Sequence, residues 1–168
     1  MSTISANGPI DPADGTGTSD LPEQLASIVE DFLSMPERER LQLLLDFSRE
    51  LPALPERVSV DHDAMEPVSE CQSPLFVLVE VAPADAGRRV ELFFDAPAEA
   101  PTTRGFAGIL REGLDGLTAQ EVLDVPDDVP DRLGLTAAVS PLRLAGMAGM
   151  LRRIKRQVRE KSGAAARP

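Results

Sequence analysis

The residue with the most chemistry to offer is Cys71, the only cysteine in the chain. It stands in the run Glu70-Cys71-Gln72-Ser73-Pro74, directly ahead of the most strand-like stretch, Leu75 to Val81. Pro74 restricts the backbone where that strand begins, so the thiol belongs to a loop anchored on a rigid element. As a thiolate it is a nucleophile that can attack a carbon or exchange with another sulfur. The competing reading is a free cysteine buried as a small hydrophobe. The polar neighbours Glu70, Gln72 and Ser73 argue against that reading, because the sulfur sits in no apolar run. Glu70 itself disfavours the thiolate, and no cation is adjacent in sequence. Help must come from a distance, with Arg104 at the start of a helix and Arg143 after Ser140-Pro141-Leu142 as the candidates.

His62 is the only histidine, which makes a Cys71–His62 nucleophile pair the second chemistry to weigh. Flanked by Asp61 and Asp63, it reads more simply as an exposed loop residue. One cysteine and one histidine fall short of a structural zinc set. Asp61, Asp63 and Glu66 are read as solvating a loop rather than holding a hard cation. There is no Gly-rich phosphate loop, no Ser–His–Asp set and no cofactor fingerprint.

The elements that must position these residues follow from periodicity and punctuation. Residues 1–19 are polar and Gly-rich and read as a disordered tail. A helix starting at Ser19 or Asp20 carries Leu25, Ile28, Val29, Phe32 and Leu33 on one face. Ser34 and Glu37 have capping-box spacing and predict a second helix to about Glu50, the two forming a hairpin. Its stripe is Leu41, Leu44, Leu45 and Ser48, widened by Leu43 and Phe47. Pro52 and Pro55 end it, and Glu56 to Glu70 reads as loop, with a weak strand signal over Glu66 to Ser69. Leu75 to Val81 and Arg89 to Asp95 form a hairpin around the Pro83–Gly87 turn, and the apolar run Leu75 to Val79 implies burial on both faces. A helix begins near Pro101, with Phe106, Ile109, Leu110 and Leu114 inward and Gly105 and Gly108 allowing close approach. Thr118 and Glu121 make another capping box, and a turn or short helix covers Pro126 to Gly134. Ser140 and Pro141 open the last helix, whose stripe is Leu144, Met147, Leu151, Ile154 and Val158. Ser162 to Pro168 reads as a frayed tail. The expected architecture is α+β, one domain over 20–161, with a small antiparallel sheet of about three strands flanked by helices.

Composition narrows the function classes. The chain has 168 residues, 42% hydrophobic and 27% charged, which suits one ordinary globular domain. A net charge of -11, six Phe and no Trp or Tyr speak against a nucleic-acid partner. Residues 140–168 nevertheless carry eight basic residues and one acidic, against nine basic and 27 acidic in residues 1–139. Those cations suit a helix C-terminus, and docking onto an acidic partner is a secondary reading. A lone cysteine excludes an intramolecular disulfide framework. With no signal-peptide pattern and no apolar run of membrane length, the expectation is a cytoplasmic protein without a membrane partner.

The residues in order resemble the SufE family of sulfur acceptors. The likeness rests on Cys71-Gln72-Ser73 ahead of a hydrophobic strand, the N-terminal helices ending Glu50-Leu51-Pro52, and the strand hairpin. It continues through the Arg104-Gly105 helix and the Leu135 to Ile154 stretch with Ser140-Pro141-Leu142-Arg143, and so covers roughly residues 21–160. The resemblance implies a fold like that of the IscU scaffold, without the further cysteines a cluster would need. It implies a SufS-like cysteine desulfurase as partner, Cys71 as persulfide-forming acceptor, and a SufB-like Fe–S scaffold as recipient. Gln72, Ser73, Arg104 and Arg143 would support Cys71. PLP would belong to the desulfurase, and this chain would need no cofactor. Phe76, Phe93 and Phe106 are candidates for an apolar wall shielding the persulfide. The alternatives are a Cys71–His62 hydrolase and a structural interaction domain.

Overall fold

A computed structural model describes residues 17–163. The chain opens with helices α1 (Glu23–Ser34), α2 (Glu37–Glu50) and the single turn α3 (Glu56–Ser59). Three strands follow, β1 (Glu66–Pro67), β2 (Phe76–Val81) and β3 (Val90–Asp95). Four helices complete it: α4 (Pro101–Leu114), α5 (Ala119–Leu123), α6 (Val129–Arg132) and α7 (Pro141–Ser162). The strands form one antiparallel sheet in the order β1-β2-β3, with Glu66 opposite Val77 and Val79 opposite Leu92. The α+β architecture read from the sequence is the one observed.

The apolar run of β2 is covered on both faces, as its composition requires. Val77 and Val79, with Leu92 and Phe94 of β3, join the main core beneath α4 and α7. Leu78 and Phe93 face the other way, into a small cluster with Val58 and Met65 that Phe76 packs against. The segment 56–70, read as loop, is therefore partly structured: α3, a 3-10 turn over His62–Ala64 and the short β1 lay a lid on that outer face.

Several local expectations are corrected. Residues 17–19 belong to the body, since Thr18 is buried and bonds Glu30 while Arg132 donates to the Gly17 carbonyl. Ser162, expected in the C-terminal tail, is buried as the last residue of α7, and Gly163 caps it; residues 1–16 and 164–168, the remainder of the two expected tails, lie outside the described residues. Pro22, not Ser19 or Asp20, precedes α1, and Asp20 instead pairs with Arg132 at 2.6 Å. Ser34 does not cap α2: Pro36 intervenes, helix geometry starts at Glu37, and the Ser34 hydroxyl donates back to the Asp31 carbonyl. The Thr118–Glu121 box is formed, and Ser140 accepts from the Arg143 amide at the head of α7.

α1 and α2 are not chiefly a hairpin. They meet where Phe32 stacks on Phe47 at 5.9 Å, but each packs mainly on α4. Gly105 and Gly108 explain this, because a Cβ on either would stand 2.5 Å from a carbonyl oxygen of α2, that of Leu44 or of Phe47. Leu41, expected in the stripe, is exposed instead.

The edge of β2 beyond the two-residue β1 would be open. α7 closes it: the Val79 amide donates to Gln157 Oε1 at 2.9 Å, and Lys161 Nζ donates to the Val79 carbonyl. Gln157 Nε2 reaches Glu66 Oε2 at 3.1 Å, tying the helix to β1 as well. Side chains of a helix thus take the place of a missing strand partner. Gln157→Met keeps the bulk but leaves the buried Val79 amide unpaired, and should cost about 1–3 kcal/mol in a urea melt.

Candidate functional site

Cys71 lies in the connection between β1 and β2. The Val68 amide donates to the Leu75 carbonyl at 2.9 Å, closing the loop at its base, and the Cys71 amide donates to the Val68 carbonyl at 3.2 Å. That geometry makes residues 69–74 a protruding turn whose end rests on α7. The half-buried thiol opens onto a cavity of about 280 Å³. Cys71, Gln72 and Ser73 line one wall, and Phe106 with Thr103 of α4 lines another. Leu142, Arg143 and Gly146, from the first turns of α7, line a further side, with the acidic residues Glu70 and Glu99 also lining the space.

Gly146 and Gly149 let the loop come this close. A Cβ on Gly146 would lie 3.2 Å from Cys71 Sγ, and one on Gly149 would lie 2.9 Å from Glu70 Cδ. One turn further along α7, Arg153 bonds Glu70 Oε2 and donates to Ser69 Oγ at 3.1 Å. Arg152 approaches Glu70 Oε1 at 3.7 Å, and Arg156 binds Glu66. The distant cation sought in the sequence is therefore Arg153. It is bound to Glu70, and Glu70 is the immediate neighbour of the cysteine.

The electrostatics follow from this arrangement. The Arg153 guanidinium holds the Glu70 carboxyl below the usual carboxylate range, against the opposing effect of burial. Cys71 moves the other way. Burial first, and the Glu70 charge second, push its thiol up to about 11, with Arg153 offsetting only part of the rise. In this conformation the sulfur is sheltered and stays protonated at neutral pH.

The residues singled out in the sequence separate into two groups. Cys71, Gln72, Ser73 and Arg143 share the cavity, as does Phe106. Arg104 does not line it: its guanidinium donates to the carbonyls of Ala96 at 2.6 Å, Ser48 and Leu51, holding the end of α2 to the end of β3. Phe76 and Phe93 lie on the outer side of the sheet and form no wall for the sulfur. His62 is on that outer side too, with Nε2 2.8 Å from Asp95 Oδ2 and its ring edge-on to Phe76, so the Cys71–His62 pair is not assembled. Gly146, Gly149 and Arg153 were missed. Their signal was present as spacing, a second α7 face at steps of three and four, but it is glycine and arginine rather than apolar. Among the described residues no cluster suited to a metal ion occurs, and no helix is long and apolar enough to cross a membrane.

A fold with a lone cysteine at the tip of its sheet loop, set against the head of a long C-terminal helix, has clear relatives. The family model for SufE, described as an Fe–S metabolism associated domain, matches residues 26–158. An uncharacterised SufE-like protein of Mycobacterium tuberculosis (strain H37Rv) is 54% identical over 145 residues, covering 86% of this chain and 98% of the relative. A SufE-like protein of Arabidopsis thaliana, named as chloroplastic/mitochondrial, is 28% identical over 82% of this chain and 35% of its own length. The solution structure of a hypothetical protein from Thermus thermophilus superposes with a TM-score of 0.73 at 39% identity, covering 85% of this chain and 98% of that one. The chain belongs to the SufE family, and with it to Fe–S metabolism.

The raised thiol gives a signed pH expectation. Alkylation of the folded protein should accelerate about tenfold per pH unit beyond pH 8.5 and level off only near 11, whereas in urea it should level off near the ordinary thiol value of about 8.5. Between those values the folded state keeps a proton the unfolded state has released, so Cys71 costs stability as pH rises through the window.

Proposed function

We propose that this protein is the sulfur acceptor and activator of a SufS-like cysteine desulfurase, carrying sulfur as a Cys71 persulfide to a SufB-like Fe–S scaffold. The observation that carries the reading is the position of the lone thiol, held at a loop tip within a cavity of about 280 Å³ that has room for a second sulfur atom.

The exchange needs no cofactor on this chain; PLP belongs to the desulfurase. The Cys71 thiolate attacks the outer sulfur of the donor's persulfide. Its new S–S bond forms as the donor's S–S bond breaks, and the donor cysteine leaves as a thiolate. The sulfane sulfur changes hands with no net oxidation, so the step requires no external oxidant. A second nearby thiol would attack the loaded persulfide and discharge it as a disulfide. A chain with one cysteine has no such route internally.

The cavity supplies what the loaded form needs. Phe106 and Leu142 offer apolar contact, while Arg143 is a cation lining the same space that can balance a persulfide anion. Gln72 and Ser73 flank the sulfur from the loop itself. A sulfur at about 11 is a poor nucleophile at neutral pH, so the loop must swing outward and the donor's site must promote ionisation. The protein is thus a covalent carrier rather than an autonomous enzyme, suited to a reducing cytoplasm that keeps a lone thiol free.

Incubation with a SufS-like desulfurase, PLP and cysteine should add one sulfur atom to the intact mass, reversibly by reductant. Cys71→Ser should abolish the gain and His62→Ala should leave it nearly intact. Loss of the gain in the His62 variant would revive a Cys–His mechanism, and no gain in the wild-type chain with two different desulfurases, each active alone, would sink the acceptor reading.

A further inference from the structure

The raised thiol and the closed loop raise the question of what keeps Cys71 in its shelter. Among the described residues, the side-chain bonds tying residues 69–73 to the rest of the fold all run to Arg152 and Arg153 of α7. Arg153 grips two successive loop residues, Glu70 through its carboxylate and Ser69 through its hydroxyl. The Glu70 side chain lies over Gly149, where a Cβ would meet Cδ at 2.9 Å and Oε2 at 3.0 Å. Glu70 precedes Cys71 in the chain, so holding its carboxylate holds the backbone at Cys71 beside the wall at Gly146.

We propose that Arg153 is a positioning residue: with Gly149 as its seat, it clasps Glu70 and so keeps Cys71 in the cavity, and release of this clasp is the step that brings the sulfur out. The proposal rests on the acceptor reading only for the purpose of the opening; the clasp itself is a property of the free protein. The Glu70 side chain keeps 32% of its exposure, so a carboxylate of an incoming partner can reach the pair and exchange with it, which suits a hold that has to be undone. Its position also separates two roles that Arg153 could have. As a nearby cation it lowers the thiol's pKa, whereas as a clasp it maintains the burial and the Glu70 contact that raise it. Removing Arg153 therefore moves thiol reactivity in opposite directions under the two roles.

The test is the rate of alkylation of the full chain by iodoacetamide as a function of pH, with no desulfurase present. Gly149→Ala displaces the Glu70 carboxylate while leaving every charge in place, and exchanges a mid-helix glycine for a better helix former. It should speed alkylation at pH 7.5 roughly tenfold and lower the thiol's titration midpoint by about one unit. Arg153→Ala should also speed it, and Arg153→Lys should restore part of the slow rate. Slower alkylation with a raised midpoint in Arg153→Ala would overturn the proposal, leaving Arg153 as a neighbouring cation only. An unchanged rate in Gly149→Ala would overturn it as well. Because no sulfur donor enters the assay, a failed acceptor reading and a failed clasp give different results.

Discussion

The bond from the Val79 amide to Gln157 sets the register of α7 on the sheet, and the candidate site depends on that register. Counting back along the helix from Gln157, successive steps of three or four bring Arg153 to Glu66 and Glu70, Gly149 to Glu70, Gly146 to Cys71, and Leu142 to the cavity mouth. The span from Gln157 to Leu142 is about 22 Å of helix, and along it a single face changes from polar to notched to apolar. The polar part completes the edge of β2. The notched part receives the loop. A shift by one residue would rotate the face by about 100° and put side chains where the glycines now admit the sulfur.

Under the proposed acceptor role, two demands oppose one another at Cys71. A loaded persulfide must be kept from stray thiols, which favours burial. Loading requires a thiolate, which burial and the neighbouring Glu70 both penalise. A static site cannot satisfy both, and the structure shows the sheltered side of the compromise. The loop is well placed to change sides: its base is fixed by the Val68 and Leu75 pairing, while its tip is held by ion pairs to α7 and by the partial packing of Cys71 against the core. Flexibility is thereby confined to the few residues around the sulfur, and the sheet beneath need not move.

Much of this was legible in the chain. The stripe Leu144, Met147, Leu151, Ile154 and Val158 marked α7 because apolar residues at helical spacing bury one face. Thr118 capped its helix as read, since the cap and Glu121 need only one another, whereas Ser34 failed because Pro36 moved the helix start beyond its reach. Phe76 and Phe93 were assigned to the wrong side because a strand apolar on both faces carries no alternation to orient it. Arg104 shows a deeper limit. An arginine at a helix start reads the same whether it faces a cavity or, as here, three backbone carbonyls. Arg153 was hidden among the cations of the basic C-terminal region, and only the fold pairs it with Glu70 across 83 residues.

In the proposed role, sulfur passes covalently through Cys71. The most direct test is a single-turnover chase, in which a desulfurase loaded from isotopically labelled cysteine is mixed with this protein and an Fe–S scaffold, quenched at intervals and mapped by peptide mass. Label should appear on the Cys71 peptide first, decaying as label rises in the scaffold. Label reaching the scaffold at the same rate without ever occupying Cys71 would contradict that role.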